Sequence, residues 1–151
     1  MANYNNNYQR NPHRGGADRQ GQSADVSYNH ILCLFNPKWI INEIDGECVN
    51  FCEQVAKYLA DQKVSSSLLR NIYGELKRIE AKGFAQCRVD FFLMRPKIAY
   101  TVARSDKKDY AQLFNDVYNR MANCVTEESH FDNLVSMCEA IIAYHKTYNP
   151  K

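Results

Sequence analysis

The chain reads as an all-α protein, a single helical bundle of about five to six helices, on three observations. Apolar residues recur at spacings of three and four through most of the sequence. No stretch sustains the alternation of a half-buried strand, and only six glycines interrupt the 151 residues. The connections between apolar stripes are short and polar, as between antiparallel helical neighbours.

Residues 1–25 stand apart from this pattern. They are rich in Asn, Gln, Gly and Arg and hold almost nothing aliphatic, so ordering them would cost more entropy than their contacts return. A disordered, solubilising tail is expected there, with residues 26–151 forming the domain; Arg10, Arg14 and Arg19 are assigned no site. A domain of that length suffices for one modest core and leaves no room for a second.

From Val26 the chain turns apolar. Asn36-Pro37 before Lys38-Trp39-Ile40-Ile41 has the cap and proline of a helix start, predicting a short helix to about Ile44. After the turn residues Asp45-Gly46, Cys48, Cys52, Val55, Ala56 and Leu59 predict a second helix ending near Lys63. Ser65 to Ser67 offer N-caps for a third, in which Leu68, Leu69, Ile72, Leu76 and Ile79 share one face as far as Gly83.

Phe84, Cys87, Phe91 and Met94 continue the helical spacing, and Pro96, lacking an N–H, is expected to kink or restart that helix before it runs on through Arg104. Tyr110, Leu113, Phe114, Val117, Met121 and Cys124 form the next stripe, and Phe131, Leu134, Val135, Cys138, Ile141 and Ile142 the last. The six cysteines fall mostly on these apolar faces, so they read as small buried hydrophobes rather than a disulfide framework. No run reaches the roughly 20 apolar residues of a membrane span and no secretory segment opens the chain, so a cytoplasmic protein without a membrane partner is expected.

Charge is segregated. Residues 63–108 carry eleven Lys or Arg against four Asp or Glu, a net +7 within a chain whose total is +2, while residues 26–62 and 109–151 each sum to −3. Such a block points to a polyanion partner, nucleic acid first. On a wheel with Arg70 at zero, Gly74 falls at about 40° and Lys77 at about −20°, with Arg78 at the edge and the apolar residues opposite. Gly74 lowers a wall between two cations. After Pro96 the design repeats, since Lys97, Thr101, Arg104 and Lys108 are spaced i, i+4, i+7 and i+11. Arg and Lys meet phosphate oxygens and a threonine hydroxyl can donate between them. Neither stripe has an acidic residue four positions away to neutralise it, and neither holds an aromatic placed for stacking, although Tyr73 and Tyr100 lie beside them. Backbone contact without base reading is expected.

These residues also carry a resemblance. Val64-Ser65-Ser66-Ser67-Leu68-Leu69-Arg70-Asn71-Ile72-Tyr73, then Arg95-Pro96-Lys97-Ile98-Ala99-Tyr100 with Ala103-Arg104, and finally Glu139-Ala140-Ile141-Ile142-Ala143-Tyr144-His145-Lys146, resemble the small-subunit family of type III-A CRISPR effector (Csm) complexes. The resemblance runs from Val64 to Lys146. It implies a helical bundle without enzymatic activity or cofactor, present in several copies as an inner filament. Its implied partners are crRNA and target RNA, the repeating backbone subunits, the large subunit, and other copies of itself. By position, the family's Ser-x-x-Arg helix start falls on Ser67 and Arg70, and its Lys-containing segment ending in Ala-x-Arg or Gly-Arg on Lys97 and Arg104, with Ala103 where a glycine is common.

Other chemistries find little support. His30, Cys33, Cys48 and Cys52 are ligand types for zinc, but their spacing is not that of a finger and the last two continue an apolar face. Cys138 and His145, seven apart, could share a helical face as a nucleophile and base, though a core cysteine and a helix-terminal histidine explain them as well. Glu43, Asp45 and Glu47 read as solvated charge, and Glu139, beside an apolar stripe, calls for a basic partner on another helix or subunit. Glycine-rich phosphate loops and hydrolase motifs are absent, and no histidine lies between Lys63 and Lys108. The expectation is a non-enzymatic RNA-binding subunit, set against a helical adaptor that docks an acidic protein and a small helical nuclease.

Overall fold

The computed structural model describes residues 27–149, so the expected N-terminal tail lies outside the described residues. Its elements are α1 (27–33), α2 (Lys38–Ile41), α3 (Gly46–Asp61), α4 (Ser66–Lys82), a 3₁₀ turn (Phe84–Gln86), α5 (Arg88–Ala103), α6 (Lys108–Ala122) and α7 (Glu128–Tyr148). Among the described residues there is no strand, so the all-α class holds, with one helix more than the upper count expected.

That additional helix is α1. It is too short to display a period, and tertiary contacts hold it: the Tyr28 hydroxyl donates to the Asp116 carboxylate on α6, and Arg120 Nη1 donates to the Leu32 carbonyl at 3.3 Å. The Tyr28 ring also meets Tyr58 of α3 edge-on, with centroids 6.0 Å apart.

Local chemistry sets the other boundaries. Helix α2 stops at Ile41, short of the expected Ile44, because Asp45 is extended (φ −122°, ψ −176°) to cap α3, where its Oδ1 accepts from the Cys48 N–H at 2.9 Å. Ser65 caps α4 in the same way, its Oγ accepting from the Ser67 N–H at 3.2 Å. Gly83 (φ +98°) ends α4 in a conformation few side chains tolerate. Phe84 then begins a 3₁₀ turn rather than the next α-helix, and buries its ring 5.1 Å from Phe131 and 5.3 Å from Phe91. Helix α5 runs unbroken across Pro96, correcting the expected restart. The carbonyl that Pro96 leaves without a partner belongs to Phe92; both residues are exposed, so water can take the free oxygen.

Helix α7 is the spine. Phe131, Leu134, Val135, Met137, Cys138 and Ile141 are buried, α3 packs along most of its length, and α2, α4 and α6 add further contacts. Helix α5 sits further out, chiefly on α4 and α6. A second aromatic group, Phe35, Trp39 and Phe51, packs α2 onto α3 with the Trp39 and Phe51 rings 5.3 Å apart. All six cysteines are free; Cys48, Cys52, Cys87 and Cys138 are buried as expected, whereas Cys33 is exposed and Cys124 half-buried. None of the described helices is long and apolar enough to cross a membrane.

His145 lies in the last turn of α7, as expected of a helix-terminal histidine, but it is buried, and its Nε2 donates to the Val64 carbonyl at 3.0 Å. This bond ties the last turns of α7 to the α3–α4 junction. Burial lowers its pKa from the ordinary 6.5, against a smaller opposing effect of the Val64 carbonyl. The unfolded chain therefore takes up this proton first as pH falls, so the contribution is complete above 6.5 and is lost as pH drops through the lowered folded value. His145→Gln should lower the melting temperature at about pH 8, and the gap to wild type should narrow by about pH 5.5. A gap that stays constant across that range would show that the imidazole titrates alike in both states.

Candidate nucleic-acid interface

Helices α4 and α5 lie side by side, and the groove between them opens into two clefts. The larger, of about 530 Å³, is lined by Lys63, Ser65, Asn71, Tyr100, Arg104 and Lys107 among others, with Asp106 as its one lining carboxylate among the described residues. The smaller, of about 320 Å³, shares Asn71, Tyr100 and Thr101 with it and extends to Glu75 and Lys97.

Ion pairing separates the cations into two groups. Lys77 Nζ lies 2.6 Å from Glu80, Arg78 Nη2 lies 3.1 Å from Glu75 with Asp90 at 3.8 Å from its Nη1, and Lys97 Nζ lies 3.6 Å from the same Glu75. The stripes were expected to lack neutralising acids because position i+4 holds none. The acids act instead at i+3, from i−3, and across the α4–α5 groove, where Glu75 serves a cation on each helix. Lys77 is held in its charged form first by Glu80, with a smaller contribution from Glu139 of α7. Glu139 itself is exposed, so burial does not impose the basic partner it was expected to need. Glu139 also helps raise the Tyr73 hydroxyl, after burial.

The second group meets only neutral atoms. Arg70 Nη2 reaches Ser66 Oγ at 3.5 Å, and Arg104 lies over the Tyr100 ring at 5.4 Å with Nη1 donating to its hydroxyl at 3.4 Å. Among the described residues Lys63, Lys107 and Lys108 have no carboxylate in salt-bridge range. Positive charge is therefore left open at the end of the groove where α4 begins and α5 finishes, not along the middle of either helix.

Two further expectations are corrected. Thr101 Oγ1 donates to the Lys97 carbonyl of its own helix at 2.8 Å, so its proton is not free for a phosphate. Lys108 does not continue the α5 stripe, because α5 ends at Ala103 and Lys108 is the first residue of α6. Gly74 is exposed, and a Cβ there would meet nothing within 4 Å; it lowers the surface as expected without packing requiring it.

Lys63 is the residue the stripes did not single out. It holds φ +62°, the left-handed conformation in which glycine usually ends a helix, while the Val64 N–H returns to the Leu59 carbonyl at 2.9 Å. That backbone costs a lysine roughly 1 kcal/mol relative to glycine. Strain of this kind marks positions where the side chain is wanted, and this one lines the cleft together with Arg104.

The family model described as Csm2 Type III-A matches residues 45–151, from the cap of α3 through α7. The chain belongs to the Csm2 type III-A family. No curated protein and no solved structure matches it.

Within this Csm2-family bundle the nucleophile reading fails on geometry. Cys138 is buried with its thiol pushed up to about 12 by desolvation, and His145 is engaged with Val64. Among the described residues no group of three or more His, Cys, Asp or Glu is placed to hold a metal ion.

The cleft predicts two outcomes. Lys63→Gly should raise thermal stability by about 0.5–1 kcal/mol while lowering the salt concentration needed to elute the protein from a polyanion column. A stability gain without loss of retention would separate Lys63 from the site. Glu75→Gln, which releases Lys97 and leaves Arg78 only Asp90 at 3.8 Å, should raise the eluting salt more than Asp61→Asn, where the paired Lys57 lies on α3. Equal shifts would mean that only net charge matters.

Proposed function

We propose that this chain is a non-catalytic, RNA-binding structural subunit of a type III-A CRISPR ribonucleoprotein. In it, several copies form an inner filament that holds target RNA against the guide crRNA, beside the repeating backbone subunits and the large subunit. The observation that carries this reading is membership of the Csm2 type III-A family across residues 45–151. The groove end adds the chemistry: Lys63, Arg104 and Lys107 line the cleft, Arg70 stands in the first turns of α4, and these open cations suit phosphate oxygens. Arg104 already covers one face of Tyr100, which leaves little provision for reading bases. Sequence-independent contact is what such a subunit needs, because base pairing to the guide supplies the specificity.

With two to four phosphates met per protomer, affinity for single-stranded RNA should change with salt at a log–log slope of roughly −1.4 to −2.8. Arg70→Glu combined with Arg104→Glu should flatten the slope by about 1.4 and lower target-RNA retention, while the complex still assembles and carries guide-length RNA. Normal retention at moderate salt would overturn the cleft as the RNA site. Loss of the variant from the complex would show the same residues to be assembly contacts, as the adaptor reading requires.

A further inference from the structure

Helix α5 is apolar on two sides. Phe91, Met94, Ile98 and Val102 face the core, yet Val89, Phe92 and Leu93 remain 70, 62 and 47 % exposed. At 100° per residue those three span an arc of about 100°, with Pro96 near its centre, so they form one continuous ridge. A solvated helix would carry polar groups along such an arc, and contiguous apolar surface of this kind marks an interface. Arg88 and Arg95 stand along one edge of the ridge, meeting only neutral oxygens: the Thr126 carbonyl at 3.3 Å and Asn123 Oδ1 at 2.6 Å.

A concave partner exists elsewhere on the same molecule. Trp39 and Phe51 floor a cleft of about 300 Å³ between the end of α1 and α3, walled by Leu34 and Gln54 and rimmed by Glu47. The buried Trp39 indole N–H has no acceptor among the described residues. Among the described residues Glu47 has no cation in salt-bridge range, and the segment that builds this cleft, residues 26–62, has a net charge of −3. Ridge and cleft belong to different parts of the bundle, since α5 packs chiefly on α4 and α6 while α2 and α3 pack on α7.

We propose that the α5 ridge of one copy seats in the Trp39–Phe51 cleft of the next, Phe92 and Leu93 filling it and Arg88 and Arg95 facing the Glu47 carboxylate on its rim. This deepens the multi-copy assembly proposed above by naming the faces that meet, and it rests on that reading only for its biological setting. The charges choose the arrangement. Two α5 ridges face to face would oppose Arg88 and Arg95 of both copies, whereas ridge against cleft opposes unlike charge. A contact between two different faces leaves a free ridge at one end and a free cleft at the other, so it builds a row, open or closed into a ring, rather than a two-fold dimer.

The test uses the full-length protein freed of RNA by nuclease and studied by sedimentation over a concentration series. Wild type should form progressively larger species. Phe92→Glu and Leu34→Glu, both at exposed positions, should each hold the protein at monomer with unchanged helicity by circular dichroism. Mixing the two variants should restore a 1:1 heterodimer and nothing larger, because each keeps one intact face. Wild type that stays monomeric at every concentration would overturn the proposal. Growth by Leu34→Glu alone, or no heterodimer on mixing two folded variants, would overturn it too. RNA retention by the assembled complex is read separately, so a failed interface with normal RNA retention removes this inference alone, and the converse removes only the RNA reading.

Discussion

Everything in the bundle leans on the burial of α7. Its inward residues from Phe131 to Ile141 pack against α2, α3, α4 and α6, and each buried aliphatic or aromatic side chain of this kind contributes roughly 1.5–3 kcal/mol relative to exposure. The consequence reaches the surface. His145, near the end of α7, binds the Val64 carbonyl, and Val64 comes directly after Lys63 with its left-handed backbone. The core's spine thus braces the one strained residue of the cleft. A helix that frayed at its end would lose that brace, which accounts for a buried histidine at a position where an exposed cation would otherwise suit the helix dipole.

The α4–α5 groove shows how a strongly basic segment stays folded. Eleven cations within residues 63–108 repel one another, and Glu75, Glu80 and Asp90 relieve part of that repulsion. These pairs are solvent-exposed and individually contribute little stability. Their effect is on placement: they neutralise the middle of the groove and leave its end positive. The site proposed for RNA, at Lys63, Arg70, Arg104 and Lys107, is thus one where no ion-paired carboxylate has to be displaced first.

What was legible in the sequence depended on length and dimension. Helices α3, α4, α6 and α7 each run four turns or more, and their apolar periods reported them together with caps such as Asp45 and Ser65. Helix α1 was invisible because one or two turns display no period and it is held by Asp116 and Arg120 from 88 residues away. Pro96 misled because its effect depends on which side of the helix it faces. The family resemblance was legible from short strings between Val64 and Lys146, within the matched span of residues 45–151. The candidate site was legible in part: Arg70 and Arg104 were found on their wheels, but Lys97 and Arg78 are compensated by a residue, Glu75, whose reach across two helices no one-dimensional spacing reveals. The left-handed backbone at Lys63 has no sequence signal at all, since a lysine stands where a glycine would have announced it.

A cleft of this size implies weak binding by one protomer, and the exposed face of α5 bears on how that weakness is overcome. Two to four screened phosphate contacts do not hold a strand alone at physiological salt. Copies arrayed on one guide change the arithmetic, because once the first has engaged, each further contact is effectively intramolecular. The gain depends on the clefts lying at a regular spacing, and a flexible row would forfeit most of it. An apolar ridge that seats in a shaped cleft fixes spacing as charges on long, mobile side chains cannot. On this reading the two unusual surfaces of the molecule divide the work: the cations supply an attraction that tolerates any sequence, and the apolar contact supplies the register that makes many weak attractions act as one.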